Sequence, residues 1–374
     1  MLYRDSWIEV NLSAFQDNIR YLKKYTNKKL IAIIKANGYG TGNRLIALSA
    51  LKAGADLLAV SSLDEALFLR SEGIESDILV LGFINPKFAH IMRDYNITAT
   101  ALSIDWVKEF IHHGGQGCKV QIKVETGMNR IGIYNLEDLQ EAHHLLIQHG
   151  VLIDGIFTHF ACSDQADNIY TDKQMKRFEV ALNLLGRDYQ WIHTSNSDAA
   201  IHYHENISNA TRCGIAMFGV SSYKTELKPM LSLKSKVICI KKVPAHEYIG
   251  YGSTYMTKKD EWIATIPIGY ADGWCRKNQG RLAYIDDLPC EFVGRICMDQ
   301  SMLRVSENTK VGDVVELIGE HMPITQVATE LDTITHEIMT SLTDRLTKIY
   351  YENGKKIKTV NPRFAHHNHE GNFL

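Results

Sequence analysis

The sequence predicts a (β/α)8 barrel followed by a smaller, mostly β C-terminal domain. Three observations carry that expectation. Eight short apolar runs alternate with longer helical patterns over roughly 230 residues, close to the ~250 of a barrel of parallel strands. After about residue 232 the strand-like runs continue with turn residues between them and no long helical pattern until residue 325. The chain has 374 residues, more than the ~250–300 at which a single core stops growing. A doubly wound open sheet is the competing layout for the first part. The expected division is 1–233 for the barrel and 234–374 for the β-rich domain.

The eight barrel runs are 30–35, 56–60, 78–82, 97–102, 119–125, 152–159, 190–194 and 211–218. Amphipathic stretches such as 13–25, 63–72 and 138–149 lie between them and read as helices. In the second domain the strand-like runs are 237–243, 262–268, 281–285, 289–293, 301–305 and 313–318, with one long helical pattern over 325–347. The tail from Asn361, with His366, His367 and His369, reads as a solvated segment rather than a metal site.

Composition narrows the function class. With 45% hydrophobic and 22% charged residues the chain is globular. A net charge of -2, from 41 basic against 43 acidic residues, gives no field that would draw it to nucleic acid or an anionic membrane. The seven cysteines are odd in number and contain no Cys-x-x-Cys pair, which suits a reducing compartment and argues against zinc ribbons. No apolar run approaches the ~18–20 residues that span a bilayer, and residues 1–5 carry no apolar signal region. A cytoplasmic protein without a metal is expected.

Barrel enzymes carry their chemistry where strands end. The first run closes Ile34-Lys35-Ala36-Asn37-Gly38-Tyr39-Gly40. A lysine there is poorly hydrated, which lowers its pKa and makes it a candidate Schiff-base amine; a snorkelling lysine is the plainer reading. The fifth run supplies Lys123, Glu125 and Arg130, whose planar fork suits a carboxylate or phenolic oxygen; an ordinary charged surface turn is the alternative. The sixth delivers His159 and the seventh His193, followed by Asn196-Ser197, which has the pattern of a helix cap and hence of an anion site. The eighth ends Arg212-Cys213-Gly214-Ile215, where glycine leaves N–H groups free for phosphate. A lysine for an aldehyde and a nest for a phosphate together fit pyridoxal 5'-phosphate.

These motifs resemble those of the bacterial alanine racemases, fold-type III pyridoxal-phosphate enzymes, over nearly the whole chain. The resemblance rests on 34–40, Glu125-Thr126-Gly127-Met128-Asn129-Arg130-Ile131-Gly132, His159-Phe160-Ala161, Asn196-Ser197, Gly250-Tyr251-Gly252, Ile268-Gly269-Tyr270-Ala271-Asp272-Gly273 and Val293-Gly294-Arg295-Ile296-Cys297-Met298-Asp299. It implies interconversion of L- and D-alanine, supplying D-alanine for peptidoglycan, with serine or broad-spectrum amino-acid racemisation as the alternative. Lys35 then matches the cofactor-binding lysine and the base for the D-enantiomer, and Tyr251 the base for the L-enantiomer. A catalytic phenolate needs stabilisation, which the family supplies through a chain falling here on Tyr251, His159 and Arg212. Arg212 matches the partner of the pyridine nitrogen. Tyr39, His193, Ser197, Gly214 and Ile215 complete the cofactor set, Arg130 and Met298 the substrate set, and Asp164, Tyr270 and Arg276 the substrate entrance. Lys123 matches a lysine that is carbamylated in many relatives. The family is homodimeric, and the resemblance implies that Tyr251 and Met298 serve the partner's site. One position departs: Asp344 stands where many relatives carry a phosphate-touching Tyr, with Thr347 and Lys348 replacing the Pro and Arg that follow.

Overall fold

A computed structural model describes residues 3–165 and 167–363 of the chain, so His366, His367 and His369 lie outside the described residues. Strand β1 (Ser6–Asn11) comes first. The barrel strands follow as β2 (Lys29–Ile33), β3 (Leu57–Val60), β4 (Ile78–Val80), β5 (Ile97–Ala101), β6 (Lys119–Lys123), β7 (Leu152–Phe157), β8 (Trp191–His193) and β9 (Ala210–Cys213). All eight run parallel, and β2 pairs with both β3 and β9, with Ile31 opposite Leu57 on one side and Arg212 on the other. The sheet is therefore a closed barrel, which decides against the doubly wound alternative.

Six strands fall within the eight apolar runs, and β2 and β9 start one residue before theirs, because strands of a parallel barrel are covered on both faces. Leu57–Val60 and Ile78–Val80 are buried at every position. The intervening helices begin where the sequence offers an acceptor. Ser62 Oγ accepts from the Glu65 N–H at the start of Leu63–Ser71, Ser103 Oγ from Trp106 at Ile104–His112, and Asn196 Oδ1 from Ala199 at Ser197–His202. Inside the barrel, Gly155 on β7 is fixed by a close approach: a Cβ there would stand 2.8 Å from Gln121 Cδ and 2.9 Å from Trp191 Cβ.

The second unit comprises the described residues of 1–13, 39–42 and 230–374, and the barrel unit those of 14–38 and 43–229. The division is not contiguous in the chain, because β1 belongs to the second unit. That unit's strands are β10 (Leu231–Lys236), β11 (Cys239–Val243), β12 (Tyr248–Ile249), β13 (Tyr255–Met256), β14 (Glu261–Ile266), β15 (Leu282–Ile285), β16 (Leu288–Phe292), β17 (Ser301–Val305), β18 (Val314–Ile318), β19 (Thr347–Glu352) and β20 (Lys355–Val360). Ten of them, β1 included, form one sheet, in which β1 lies antiparallel to β10 and parallel to β19.

The long helix expected over 325–347 does not form. Two short helices, Ile324–Glu330 and Thr335–Ser341, replace it, separated where Asp332 adopts a left-handed φ of 56°. The pattern then gives way to β19 from Thr347, where β-branched and aromatic residues favour a strand. No helix among the described residues is long and apolar enough to cross a membrane.

Candidate active site

The C-terminal ends of the barrel strands gather most of the expected residues. Arg212, in β9, is buried, and its guanidinium donates to three carbonyls and two imidazoles. Nη1 reaches His193 Nδ1 at 2.7 Å and His193 O at 3.1 Å; Nη2 reaches Thr194 O at 2.7 Å, Thr158 O at 2.8 Å and His159 Nδ1 at 3.1 Å. Burial, reinforced by Arg130 and opposed by Cys213, pulls its pKa down to about 9, so it stays a cation at neutral pH.

Both histidines are neutral. Burial and the charge of Arg212 push them well below the ordinary value, with Lys123 adding to both and Arg130 and Lys35 to His159. Because an arginine can only donate, each ring accepts at Nδ1 and carries its proton on Nε2. His193 passes that proton's hydrogen bond to Gln121 Oε1 at 2.8 Å and stacks on Phe157 at 4.7 Å. His193 has no exposed surface and is held between Arg212 and Gln121.

Lys123 closes β6 with its Nζ buried and without a hydrogen-bond partner among the described residues. Burial first, then Arg212 and Arg130, lower its pKa to about 8 against the pull of Glu125. Lys35 follows β2. The open mouth leaves it exposed as a residue, but enough protein surrounds the amine to lower its pKa; Arg130 adds to the effect and Glu65 opposes it. Among the described residues, neither the Lys35 amine nor the Arg130 guanidinium forms a hydrogen bond or ion pair. The nearby carboxylates are committed to the backbone. Glu125 accepts from Gly127 N at 2.5 Å and Arg130 N at 3.4 Å, and Glu65 from Ala36 N at 2.6 Å and Ser61 N at 2.8 Å. Four cations thus act on one another, against two carboxylates that are already hydrogen-bonded to the backbone.

Lys35 is presented by an unusual turn. Ala36, Asn37, Gly38 and Tyr39 all lie in the left-handed region, with φ of 53°, 55°, 59° and 52°. Asn and Gly take this region readily, whereas Ala36 and Tyr39 each cost about 1–2 kcal/mol. Backbone strain of this kind concentrates where a side chain must be aimed. Where the neighbouring strands β8 and β9 end, Ser197 Oγ accepts from Gly214 N at 2.9 Å and Ala216 N at 3.3 Å, which leaves its own O–H to donate to an anion. Ile215 is buried beside them. Asp164 is exposed on the loop after β7, where Tyr223 OH donates to Gln165 O at 2.8 Å and Ser163 O at 3.1 Å.

The second unit presents the remaining residues. Tyr251 is 71% exposed, Met298 53% and Tyr270 42%. They share one platform. Tyr270 N donates to Cys297 O and Ala271 N to Met298 O, both at 3.0 Å, while a Cβ at Gly252 would stand 2.8 Å from Arg295 Nη1. Buried Asp272 pins the platform. It accepts from Gly269 N at 2.9 Å, Arg4 Nη2 at 2.8 Å and Arg4 Nη1, and pairs with Arg345 Nε at 3.3 Å. Arg345 also holds Asp299 at 2.5 Å. Tyr39 belongs by its contacts to this unit, its ring 5.9 Å from that of His336. Arg276 is exposed in a short 3-10 turn, Arg276–Asn278. Asp344 is paired with Arg363 at 3.4 Å, so this carboxylate does have a cation.

Sequence reading missed three residues. Glu65 looked like one more charge on an amphipathic helix. Gln121 sat inside an apolar run. Gln174, on helix Ile169–Leu185, holds the turn after β7 by bonding Ala161 N at 2.9 Å, His159 O at 3.0 Å and Thr126 Oγ1 at 3.2 Å. A polar residue in an otherwise buried stretch was the available signal for the last two.

A (β/α)8 barrel whose strand ends gather lysines, arginines and histidines, followed in the chain by a mostly β unit, has the layout of a barrel enzyme. Residues 10–222 match the family described as alanine racemase, N-terminal domain, and residues 230–350 the one described as alanine racemase, C-terminal domain. The chain is 39% identical to the alanine racemase of Halalkalibacterium halodurans, over 96% of this chain and 98% of that one. The alanine racemase of Bacillus anthracis with bound L-Ala-P superposes with a TM-score of 0.92 at 37% identity, covering 96% and 98% of the two chains. The histidine racemase of Leuconostoc mesenteroides subsp. sake gives 0.85 at 30%, covering 94% and 99%. The chain belongs to the alanine racemase family and is an amino-acid racemase, an isomerase.

Proposed function

We propose that this racemase interconverts L- and D-alanine with pyridoxal 5'-phosphate as cofactor and a lysine and a tyrosine as opposed bases. The observation that carries the reading is the mouth of the barrel: Lys35, Lys123, Arg130 and Arg212 act on one another, and the neighbouring carboxylates are bound to backbone N–H groups. Such a cluster calls for an anionic guest. The cofactor's phosphate and phenolic oxygen are anions of the right kind, and the unpartnered Lys35 amine is a nucleophile for its aldehyde. When bound, the cofactor withdraws electrons from Cα and so acidifies its hydrogen.

The protein's part is to hold and move protons. Lys35 takes the Cα proton of the D-enantiomer, and Tyr251 that of the L-enantiomer from the opposite face. Burial first, then Arg130, lower the pKa of Lys35, which favours its uncharged, proton-accepting form. Arg212, locked by five acceptors, faces the pyridine nitrogen and cannot readily give it a proton. Ser197, Gly214, Ile215 and Tyr39 bind the phosphate. Arg130 holds the phenolic oxygen and the substrate carboxylate, and the Met298 N–H holds the same carboxylate. Lys123, buried, unpartnered and shifted to about 8, has the free amine that adds carbon dioxide, releasing a proton and leaving a carbamate anion beside Arg130 and Arg212. Asp164, Tyr270 and Arg276 line the entrance.

The active form is a homodimer in which Tyr251 and Met298 serve the partner's site. Supporting this, the second unit leaves the large side chains of Tyr248, Tyr251, Met256, Tyr270 and Met298 exposed. The seven unpaired cysteines support a cytoplasmic location, where D-alanine feeds peptidoglycan.

The test is chiral chromatography after incubation of L-alanine, L-serine or L-histidine with the protein and pyridoxal phosphate. D-alanine forming well ahead of the others supports the reading. D-serine or D-histidine in front would favour the broader-substrate alternative, which Asp344 at the usual Tyr position supports. No D-amino acid at all would refute both.

A further inference from the structure

Glu65 does more than begin its helix. In an ordinary capping box, a glutamate three residues past the N-cap bends back to one backbone N–H. Ser62 is the N-cap here, but Glu65 Oε2 reaches one residue further back, accepting from Ser61 N at 2.8 Å and Ser61 Oγ at 2.9 Å. Oε1 points elsewhere, accepting from Ala36 N at 2.6 Å. Ala36 is the first of the four left-handed residues after Lys35. One carboxylate therefore joins the end of β3 to the start of that turn and stands near the Lys35 amine, which it favours in its charged form against burial and Arg130.

We propose that Glu65 is a positioning residue for Lys35: its carboxylate clamps the left-handed turn to the end of β3 and supplies the countercharge beside the lysine. The proposal rests on the reading of Lys35 as the cofactor-bearing base. Charge and shape both matter. A glutamine's oxygen can take the Ala36 N–H, but its NH2 group then meets the Ser61 N–H, donor against donor. An aspartate is one methylene too short to bridge the two strand ends.

The test compares the parent chain with E65Q and E65D. Hydrogen exchange at residues 36–40 should become tenfold faster or more in both variants, as a local opening would make it. In cofactor-free protein, the pH midpoint for acylation of the Lys35 amine should fall in E65Q, because the countercharge is gone. The kcat for L-alanine should drop about 10- to 100-fold with KM little changed, since a misaimed base affects chemistry more than binding. Exchange and acylation within about twofold of the parent in both variants would overturn the proposal. These two measurements need neither substrate nor cofactor, so they decide on the clamp even if the parent racemises nothing, a result that would instead remove the functional reading.

Discussion

Replacing Asp154 by Asn should make the protein more stable at pH 8 while leaving it unchanged at pH 3. Asp154 lies in β7 with its Oδ1 buried and without a hydrogen bond among the described residues. Burial is the main reason its pKa rises from 3.8 to about 6; the Gln121 amide and Lys119 oppose the rise and Asp77 adds to it. Gln121 Nε2 is itself buried outside ordinary hydrogen-bond geometry, so the amide eases the charge without fully solvating it. A rise of roughly two pH units corresponds to ~3 kcal/mol, and partial exposure reduces this to about 1–3 kcal/mol. The sign follows from proton counts. Between about pH 4 and 6 the folded chain binds the proton that the unfolded chain has lost, so stability falls as pH rises through this window. Above it both states are ionised and the folded state carries the full penalty. Asn keeps the shape and an oxygen for Gln121 but has no charge to bury. Urea denaturation of both proteins at pH 3, 5 and 8 measures the difference. An Asn variant as stable as the parent, or less stable, at pH 8 would refute the reasoning.

Lys35→Ala should lose turnover and the cofactor's visible absorbance, and Tyr251→Phe should lose turnover while keeping that absorbance. Mixing and reassociating these two inactive proteins should restore part of the activity, because a heterodimer has one intact site; a mixture that stays silent would count against sites shared between chains. Asp272→Asn breaks a buried carboxylate away from Arg4 and Arg345 and should cost about 2–4 kcal/mol in urea denaturation, with KM for alanine rising as the Tyr270 and Met298 turns loosen. Asp344→Tyr frees Arg363 and should change cofactor affinity or the serine-to-alanine ratio; an unchanged value for both would make Asp344 a tolerated substitution.

The barrel was legible because parallel strands are buried on both faces and so announce themselves as unbroken apolar runs, from 30–35 to 211–218. The strands of the second unit were harder. In β10 only every other residue is buried, and a six-residue alternation such as Leu-Ser-Leu-Lys-Ser-Lys is weak on its own. The 325–347 pattern misled because apolar spacing does not reveal the break at Asp332 or the partner strands that claim Thr347–Glu352. The site's reactive side chains could be picked out because barrel chemistry sits at strand ends. Their supports could not. Glu65 reaches Ala36 across 29 residues of sequence and Gln121 reaches His193 across 72, and such links exist only once the barrel is closed.

Strand β1 sets a timing problem for synthesis. Its register partners are Leu231–Ser235 on one side and Thr347–Tyr351 on the other. At about 5–20 residues per second, a ribosome needs roughly 17–70 s to go from Trp7 to its partner Thr347, 340 positions later. Ser6–Asn11, already emerged, has two unsatisfied edges until Leu231–Ser235 is made, and one from then until Thr347–Tyr351 follows. A nascent chain in this state is a substrate for holding chaperones and for mispairing with a neighbour on the same polysome. A product truncated near residue 340 would release the strand with one edge open for good.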